Sequence, residues 1–243
     1  MTPHSDEHER LDSIASRSLY AHEIYLATLD HAFEILCRHL RPGQILELGP
    51  AEGMMTDRLY RLDHPLTVVE GAARFCEEIA ARCPGADVVN TLFEEFAPDQ
   101  HFDTIVLGHV LEHVADPVRL LQRVGDWLAP EGIIFAAVPN SRSLHRQAAV
   151  TMGLLPFEEA LNELDIKHGH RRVYNPETFR RDFIEAGLAI QVFGGYFVKA
   201  ASQGQLAQIA TPEMIDAFCR VGERYPDIAA ELYVVAGSAT PAA

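Results

Sequence analysis

Tryptophan, cysteine and long apolar runs are scarce in this sequence. Its 243 residues include one tryptophan and four cysteines, Cys37, Cys76, Cys83 and Cys219. Because no two cysteines form a CxxC pair or a zinc-type spacing, we predict free thiols in a reducing compartment. The longest purely apolar run, Ile133–Val138, is far shorter than the roughly 20 residues of a membrane-spanning helix. With no apolar stretch of signal-peptide length at the start, we expect a cytoplasmic protein without a membrane anchor.

Basic residues are also few. Twenty Lys and Arg stand against 35 Asp and Glu, which gives a formal net charge of −15. Such a surface repels the phosphates of nucleic acids and of anionic membranes, so we expect neither as a partner. The rest of the composition is ordinary for a globular domain, with 48% hydrophobic and 23% charged residues. The length suits one sizeable core, and we predict a single domain.

The first 140 residues alternate between helical and strand-like patterns. Apolar residues at three- and four-residue steps predict a helix over Leu26–Leu40, which Arg41-Pro42-Gly43 ends. Asp116 and Pro117 suit the N-cap and first position of a later helix. Further helices are predicted from after Gly53 to Leu62 and at Ala72–Arg82, and strands at Gln44–Leu48, Leu66–Val69, Asp87–Asn90, Thr104–Leu107 and Ile133–Val138. This alternation predicts a parallel α/β sheet that helices cover on both faces.

Residues 139–175 interrupt that rhythm. Two short helices are predicted there, Ser143–Met152 and Phe157–Leu164. Asn175 then suits the N-cap of a helix that Gly187 ends. The remaining predictions are a strand at Leu188–Phe193, helices at Gln203–Ile209 and Pro212–Gly222, a strand at Leu232–Ala236 and a frayed tail at 237–243.

The loop after the first strand carries the features of a ligand crevice. Gly49 and Gly53 allow a tight turn and a close approach of the backbone to a ligand. Glu70, at the end of the second strand, is placed to accept hydrogen bonds from ribose hydroxyls. The dinucleotide fingerprint GxGxxG fails at Ala51 and at Met54. Glu47 in front of the loop repels a pyrophosphate but suits an ammonium group, so these residues favour S-adenosylmethionine over NAD.

Three segments resemble the class I S-adenosylmethionine-dependent methyltransferases, in the small-molecule subgroup typified by ubiquinone methyltransferases. Ile45–Gly53 is similar to their first motif, Phe102–Pro117 to their fourth-strand motif, and Trp127–Phe135 to the segment that follows. The resemblance covers roughly residues 40–140. Ala51, preceded by Pro50, departs from the family's middle glycine and is expected to reshape the loop without abolishing binding.

The resemblance implies a doubly wound, Rossmann-like sheet of seven strands, six parallel and the last antiparallel, with a helical lid. It divides the chain into an N-terminal helical segment (1–42), a donor-binding core (43–138), a lid (139–175) and a C-terminal part (176–236) with a helical insertion near 200–226. It implies methyl transfer from S-adenosylmethionine to an oxygen or nitrogen of a small molecule. The implied donor-binding residues are Glu47 at the ammonium, Gly49 and Gly53 at the methionine portion, Glu70 at the ribose, Leu92 and Phe93 at the adenine, and Gly108 and His109 beside the methyl group.

A general base is a further hypothesis. His109, Glu112 and His113 follow the strand end that faces the donor, and each is a candidate for taking the acceptor's proton. Methyl transfer needs such a base only when the acceptor must lose a proton early, because orientation supplies much of the acceleration. A purely structural role for His113 therefore stays open.

The lid segment is basic on an acidic protein. Residues 141–181 hold seven Lys or Arg and five Asp or Glu. This balance predicts an anionic acceptor, gripped by Arg146 in paired hydrogen bonds. The candidate acceptor-binding residues are Asn140, His145, Arg146, His168, His170, Arg171 and Tyr174. His145, His168 and His170 are too weak a pattern for a metal site, and none is predicted.

Several alternatives stay open. A neutral phenol or quinone oxygen and an amino-sugar nitrogen are the competing acceptors. A nicotinamide-dependent oxidoreductase and a non-catalytic subunit that binds S-adenosylmethionine are the competing classes of protein. The sequence is also compatible with a homodimer.

Overall fold

A computed structural model describes residues 23–239. Within this range seven strands form one sheet in the order β3-β2-β1-β4-β5-β7-β6. They are β1 (Ile45–Leu48), β2 (Leu66–Glu70), β3 (Asp87–Asn90), β4 (Phe102–Gly108), β5 (Leu128–Pro139), β6 (Leu188–Tyr196) and β7 (Glu231–Ser238). Pairing is parallel from β3 to β5, whereas β7 is antiparallel to both β5 and β6. The predicted sheet, with six strands in one direction and the last reversed, is confirmed.

Helices cover both faces of this sheet. Those in the described range are α1 (Glu23–Cys37), α2 (Met54–Tyr60), α3 (Ala73–Arg82), α4 (Pro117–Asp126), α5 (Leu144–Thr151), α6 (Glu163–His168), α7 (Pro176–Glu185), α8 (Gln203–Leu206) and α9 (Pro212–Arg224). The apolar sides of α1, α2, α3 and α9 pack on one face, and those of α4 and α7 on the other. No helix among residues 23–239 is long and apolar enough to cross a bilayer.

Strand β5 shows why the central strands read as continuous apolar runs. Ile134 and Ala136 belong to the core beneath α4 and α7, whereas Ile133 and Phe135 belong to the core beneath α1 and α9. Because successive side chains point to opposite faces, a strand that is covered on both sides must be apolar at every position.

Two helix starts follow from their capping residues. The Asp116 side chain accepts a hydrogen bond from the backbone N–H of Arg119 at 3.0 Å, and Pro117 opens α4. The Asn175 side chain likewise accepts from the N–H of Thr178 at 2.8 Å. Both predicted N-caps are confirmed, and each satisfies a backbone donor that the first helical turn leaves unpaired.

The second lid helix differs from the prediction of Phe157–Leu164. Helix α6 instead begins at Glu163, because the Asn162 side chain accepts from the N–H groups of Leu164 and Asp165. The Asp165 carboxylate in turn accepts a hydrogen bond from the N–H of Asn162 at 2.9 Å, which completes a capping box. Phe157 itself is exposed.

The strands at the end of the chain are longer than their apolar runs. Strand β7 continues through Ser238, so the prediction that the tail frays from Gly237 places its start too early. Residues 240–243 of that tail lie outside the described range, as do residues 1–22 of the predicted N-terminal helical segment.

The lid leaves the sheet and returns to it at one place. Asn140 and Tyr174 form an isolated parallel bridge, and the N–H of Ser141 donates to the Tyr174 carbonyl at 2.7 Å. The intervening residues are therefore held as a closed loop beyond the carboxyl end of β5.

Candidate active site

The loop after β1 has a left-handed backbone at three positions. The φ angles are 61° at Gly49, 50° at Ala51 and 75° at Gly53. Gly49 and Gly53 accept this conformation without strain, whereas Ala51 does so at a cost. Strand order reverses between β1 and β4, so this loop lies at the point where doubly wound sheets bind their ligands.

Glu70 joins this loop to the end of β2. Its buried carboxylate accepts hydrogen bonds from the backbone N–H of Ala51 at 3.1 Å and of Ala72 at 2.8 Å. A carboxylate has about four acceptor positions. The two backbone donors therefore fix the orientation of this carboxylate beside the loop, where an adenosine role is predicted for Glu70.

Glu47 is buried in β1 beneath the loop, where its carboxylate accepts a hydrogen bond from the Thr56 hydroxyl at 2.6 Å. Burial raises the pKa of Glu47 to about 8, although the bond from Thr56 opposes the shift. Without a nearby cation this carboxyl group is therefore largely protonated at neutral pH. An ammonium group is the kind of partner that would ionise it.

The other residues predicted to bind the donor differ in how much free space lies beside them. A Cβ built on Gly108, at the end of β4, meets no atom within 4 Å. A Cβ on Gly49 would lie 3.1 Å from the Phe93 ring, so Phe93 walls the loop. Leu92 is buried in the core, which leaves less of it available to an adenine than predicted.

His109 follows β4 with a left-handed backbone, at φ 58°. Its Nδ1 lies 3.2 Å from Oε1 of Glu112, and its Nε2 lies 3.7 Å from Oε2 of Glu231. Burial lowers the pKa of His109, but the hydrogen bond to Glu112 and the charge of Glu231 outweigh it and raise the pKa to about 9. The two carboxylates therefore favour the charged form of His109, which argues against its predicted role as a base.

The His113 ring lies against the lid. Its centroid is 4.8 Å from that of His170, and the two rings are nearly perpendicular at 83°. Burial lowers the pKa of His113 to about 4, so its imidazole is neutral. The lid is fastened here by Arg171, whose N–H donates to the Glu112 carbonyl and whose Nε donates to the His113 carbonyl, both at 2.8 Å.

Arg146 does not project toward an acceptor as predicted. It is buried within the lid, and its Nε donates to the Glu158 carbonyl at 2.9 Å. Its Nη1 donates to Asp165 at 3.1 Å, and its Nη2 donates to the Ala160 carbonyl. The guanidinium group is thus committed to holding the lid together.

Two more predicted acceptor residues have structural roles. Tyr174 is buried in the core, and its hydroxyl donates to Asp182 at 2.9 Å. The side-chain amide of Asn140 is also buried and donates to the carbonyls of Asp227 and Ala229. Burial and these hydrogen bonds argue against acceptor binding by either side chain.

The remaining lid histidines stay near the predicted site. The His168 ring lies 5.9 Å from that of His170. Burial lowers the pKa of His145 to about 3, with the charges of Lys199 and Arg146 acting in the same direction. His145 and His168 are both half-buried, and burial also lowers the pKa of His168.

Three charged residues at the site escaped sequence reasoning. Glu231 begins β7, Lys199 follows β6, and Asp165 lies in α6. Burial lowers the pKa of Lys199 and raises that of Glu231. Only the reversed direction of β7 brings its first residue to this edge, and no local motif marks Glu231 or Lys199.

Glu112, His113 and His170 are the group among the described residues that most resembles a metal site. Their candidate ligand atoms lie within 4.8 Å of one another. Two ligands on opposite sides of a zinc ion lie about 4.2 Å apart. The three atoms are spread more widely than this, so we assign no metal to the group.

Comparisons with known proteins agree with this geometry. A family described as "Methyltransferase domain" matches residues 20–191. The ubiquinone biosynthesis O-methyltransferase of Caulobacter vibrioides is 28% identical over 117 residues, or 45% of each chain. The matched region thus spans about half the length of such curated relatives.

Solved structures share the fold. An S-adenosylmethionine-dependent methyltransferase from Mesorhizobium loti has a TM-score of 0.61 at 17% identity, covering 86% of this chain and 99% of its own. The glycopeptide N-methyltransferase MtfA, in complex with S-adenosylmethionine, has a TM-score of 0.58 at 15% identity, covering 87% and 94%. Because the family match covers most of the sequence, the chain belongs to the methyltransferase domain family.

Proposed function

We propose that this enzyme methylates an oxygen or nitrogen of a small, uncharged or basic acceptor. The acceptor enters between the residues that follow β4 and the lid. One observation carries this proposal: Glu112 is fully buried at this place, and its Oε2 has no hydrogen-bond partner among the described residues. A buried carboxylate oxygen without a donor favours a ligand that brings an O–H or N–H group.

The charges around the cleft argue against the anionic acceptor expected from the sequence. The guanidinium group of Arg146 is occupied within the lid. That of Arg172 donates to the carbonyls that follow β4, at residues 111, 114 and 115. Glu112 and Glu231 both face His109, so the positive charge of that imidazole is already matched by carboxylates.

The names of related proteins support acceptors of both kinds. The Caulobacter relative is an O-methyltransferase, and the structural neighbour MtfA is an N-methyltransferase. A phenol or quinol oxygen and an amino-sugar nitrogen therefore remain the candidate reacting groups.

The residues act mainly by position. S-adenosylmethionine supplies a methyl group bound to a positively charged sulfur. The sulfur is the leaving group and becomes a neutral thioether. In our proposal Glu70 holds the ribose and Glu47 lies near the ammonium group. Gly108 leaves room for the methionine portion, and the lid keeps the acceptor in line and excludes water. Fixed orientation of this kind accounts for several kcal/mol, up to about 7–11 kcal/mol, of barrier reduction.

Calorimetry followed by a turnover screen tests the proposal. We expect S-adenosylmethionine and S-adenosylhomocysteine to bind and NAD to give no heat. A panel of phenols, quinols, amino sugars and carboxylic acids is then assayed for release of S-adenosylhomocysteine. Methylation confined to carboxylates or phosphates would contradict the proposal.

Gly108 offers a sharp variant for the same screen. Gly108→Ala adds a methyl group that meets no protein atom within 4 Å, so the melting temperature stays unchanged while donor binding weakens. Gly204→Ala is the matched control, because its new Cβ also meets nothing. Normal donor binding by Gly108→Ala would place the donor elsewhere.

A further inference from the structure

Asp165 is the hub of the polar contacts inside the lid. Its Oδ2 accepts from Arg146 at 3.1 Å and from the N–H of Asn162 at 2.9 Å. Its Oδ1 lies 3.3 Å from Nδ1 of His170. Burial raises the pKa of Asp165, but these three partners outweigh burial and lower it to about 2. Asp165 is therefore ionised, and its second oxygen lies within ion-pair distance of Nδ1 of His170, a buried nitrogen that has no hydrogen-bond partner among the described residues.

His170 connects this carboxylate to the residues after β4. Only 9% of its side chain is exposed. Its ring contacts that of His113 at 4.8 Å, and a ring nitrogen lies within 4.8 Å of the Glu112 carboxylate. The lid thus brings a histidine, with the Asp165 carboxylate behind it, to the buried carboxylate of Glu112 on which the proposed function rests.

We propose that His170 is a catalytic residue that receives the acceptor's proton, and that Asp165 is a positioning residue that holds Nδ1–H of His170. This inference rests on the proposed function. The acceptor's oxygen or nitrogen forms a bond to the methyl carbon, and the carbon–sulfur bond breaks with its electron pair going to sulfur. The O–H or N–H proton of the acceptor passes to Nε2 of His170, which becomes an imidazolium paired with Asp165.

The other two histidines are less suited to this role. His109 already carries a proton between Glu112 and Glu231, so it has no lone pair to offer. Burial lowers the pKa of His113 to about 4, which makes His113 a weak base. A carboxylate on the far nitrogen fixes the tautomer of a histidine, and Asp165 is placed to do so for His170.

Asp165→Asn tests the positioning role without dismantling the lid. The amide oxygen still accepts from Arg146 and Asn162, while the amide N–H₂ faces Nδ1 of His170 and forces the proton onto Nε2. Side-chain ¹⁵N spectra should show Nδ1–H at His170 in the wild type and Nε2–H in Asp165→Asn. Glu163→Gln, an exposed acid on the same helix, is the matched control and should leave the tautomer unchanged.

The kinetic readout uses catechol and 4-nitrocatechol, because the nitro compound is already ionised near neutral pH. His170→Gln and Asp165→Asn should lower turnover of catechol by about 10²–10⁴. Turnover at the ionised hydroxyl group of 4-nitrocatechol should fall far less, since that oxygen has no proton to lose. A role confined to lid structure would slow both probes equally.

Equal losses on the two catechols would overturn the proposal, as would an Nε2–H tautomer in the wild type. Tight binding of Zn²⁺ that His170→Gln abolishes would also overturn it, because a metal-bound imidazole accepts no proton. If neither catechol is methylated, the tautomer at His170 decides alone. If the wild-type protein did not bind S-adenosylmethionine, that result would instead count against the proposed function.

Discussion

The carboxylate of Glu70 accepts a hydrogen bond at 3.1 Å from the backbone N–H of Ala51, 19 positions earlier in the chain. This bond ties the end of β2 to the loop after β1. The crevice is therefore shaped by the protein's own contacts, and a ligand that binds there need not order the loop.

Glu70→Gln should weaken binding of S-adenosylmethionine. The amide nitrogen would face one of the two backbone N–H donors, and the charge that suits ribose hydroxyls would be lost. Hydrogen bonds to charged groups contribute about 1.5–3 kcal/mol, so we expect a rise of about 10- to 100-fold in the dissociation constant by calorimetry. Glu78→Gln, at an exposed ion pair with Arg74, should change nothing. Equal affinities for all three proteins would remove Glu70 from the site.

Ala51→Gly should leave the fold intact and raise its stability. The alanine is held at φ 50°, which costs about 1–2 kcal/mol in a non-glycine residue. Greater freedom of glycine in the unfolded chain offsets about 0.4–1 kcal/mol of the gain. Ala80→Gly is the opposite case, because an exposed position inside α3 should lose about 1 kcal/mol. Thermal melts compare the two signs, and a lower melting temperature for Ala51→Gly would show that the loop does not strain Ala51.

Glu47 should make the stability of the ligand-free protein depend on pH. Its folded pKa of about 8 lies above its ordinary value of 4.5, so the folded state binds more protons than the unfolded state between these values. The stability that this proton contributes is fully present below about pH 4.5 and is lost as pH rises to about 8. Glu47→Gln should therefore have a flatter profile of melting temperature across this interval. Glu185→Gln, at an exposed ion pair, should follow the wild type, and a Glu47→Gln profile that also follows it would contradict the burial effect.

Arg146→Lys should loosen the lid without affecting the donor. A single ammonium group cannot satisfy the Glu158 and Ala160 carbonyls together with Asp165. Each buried group left without its partner costs about 1–3 kcal/mol, so proteolysis should become faster between residues 152 and 162, while affinity for S-adenosylmethionine stays constant. Arg142→Lys alters an exposed ion pair with Glu177 and should cost at most about 1 kcal/mol. Unchanged proteolysis in Arg146→Lys would mean that Arg146 does not hold the lid.

Local signals made most of the fold predictable from sequence. Two helix starts were predicted from Asp116-Pro117 and Asn175-Pro176, because an N-cap forms its hydrogen bonds within four residues of the chain. The second lid helix was predicted at the wrong place, because its apolar spacing was followed and its capping residue was not. Phe157 and Leu161 imitate an apolar helical face, but both are exposed, and the capping box at Asn162 sets the true start.

The acceptor side was less predictable, because its contacts join distant parts of the chain. The charge of Arg146 indicated an anion, yet its acceptors are lid carbonyls and Asp165, and sequence spacing does not specify which acceptor a long side chain will find. Glu231 meets His109 across 122 positions of the chain. Such a pairing follows only from the sheet order.

The reversed direction of β7 bears on how the enzyme is made. Glu231 pairs with Pro139 and Tyr196 at the edge where the other strands end, yet it is synthesised about 120 residues after Gly108. During synthesis, the residues proposed to bind the donor are therefore all made while one carboxylate beside His109 is still missing. Methyl transfer that depends on that carboxylate has to wait for the last strand.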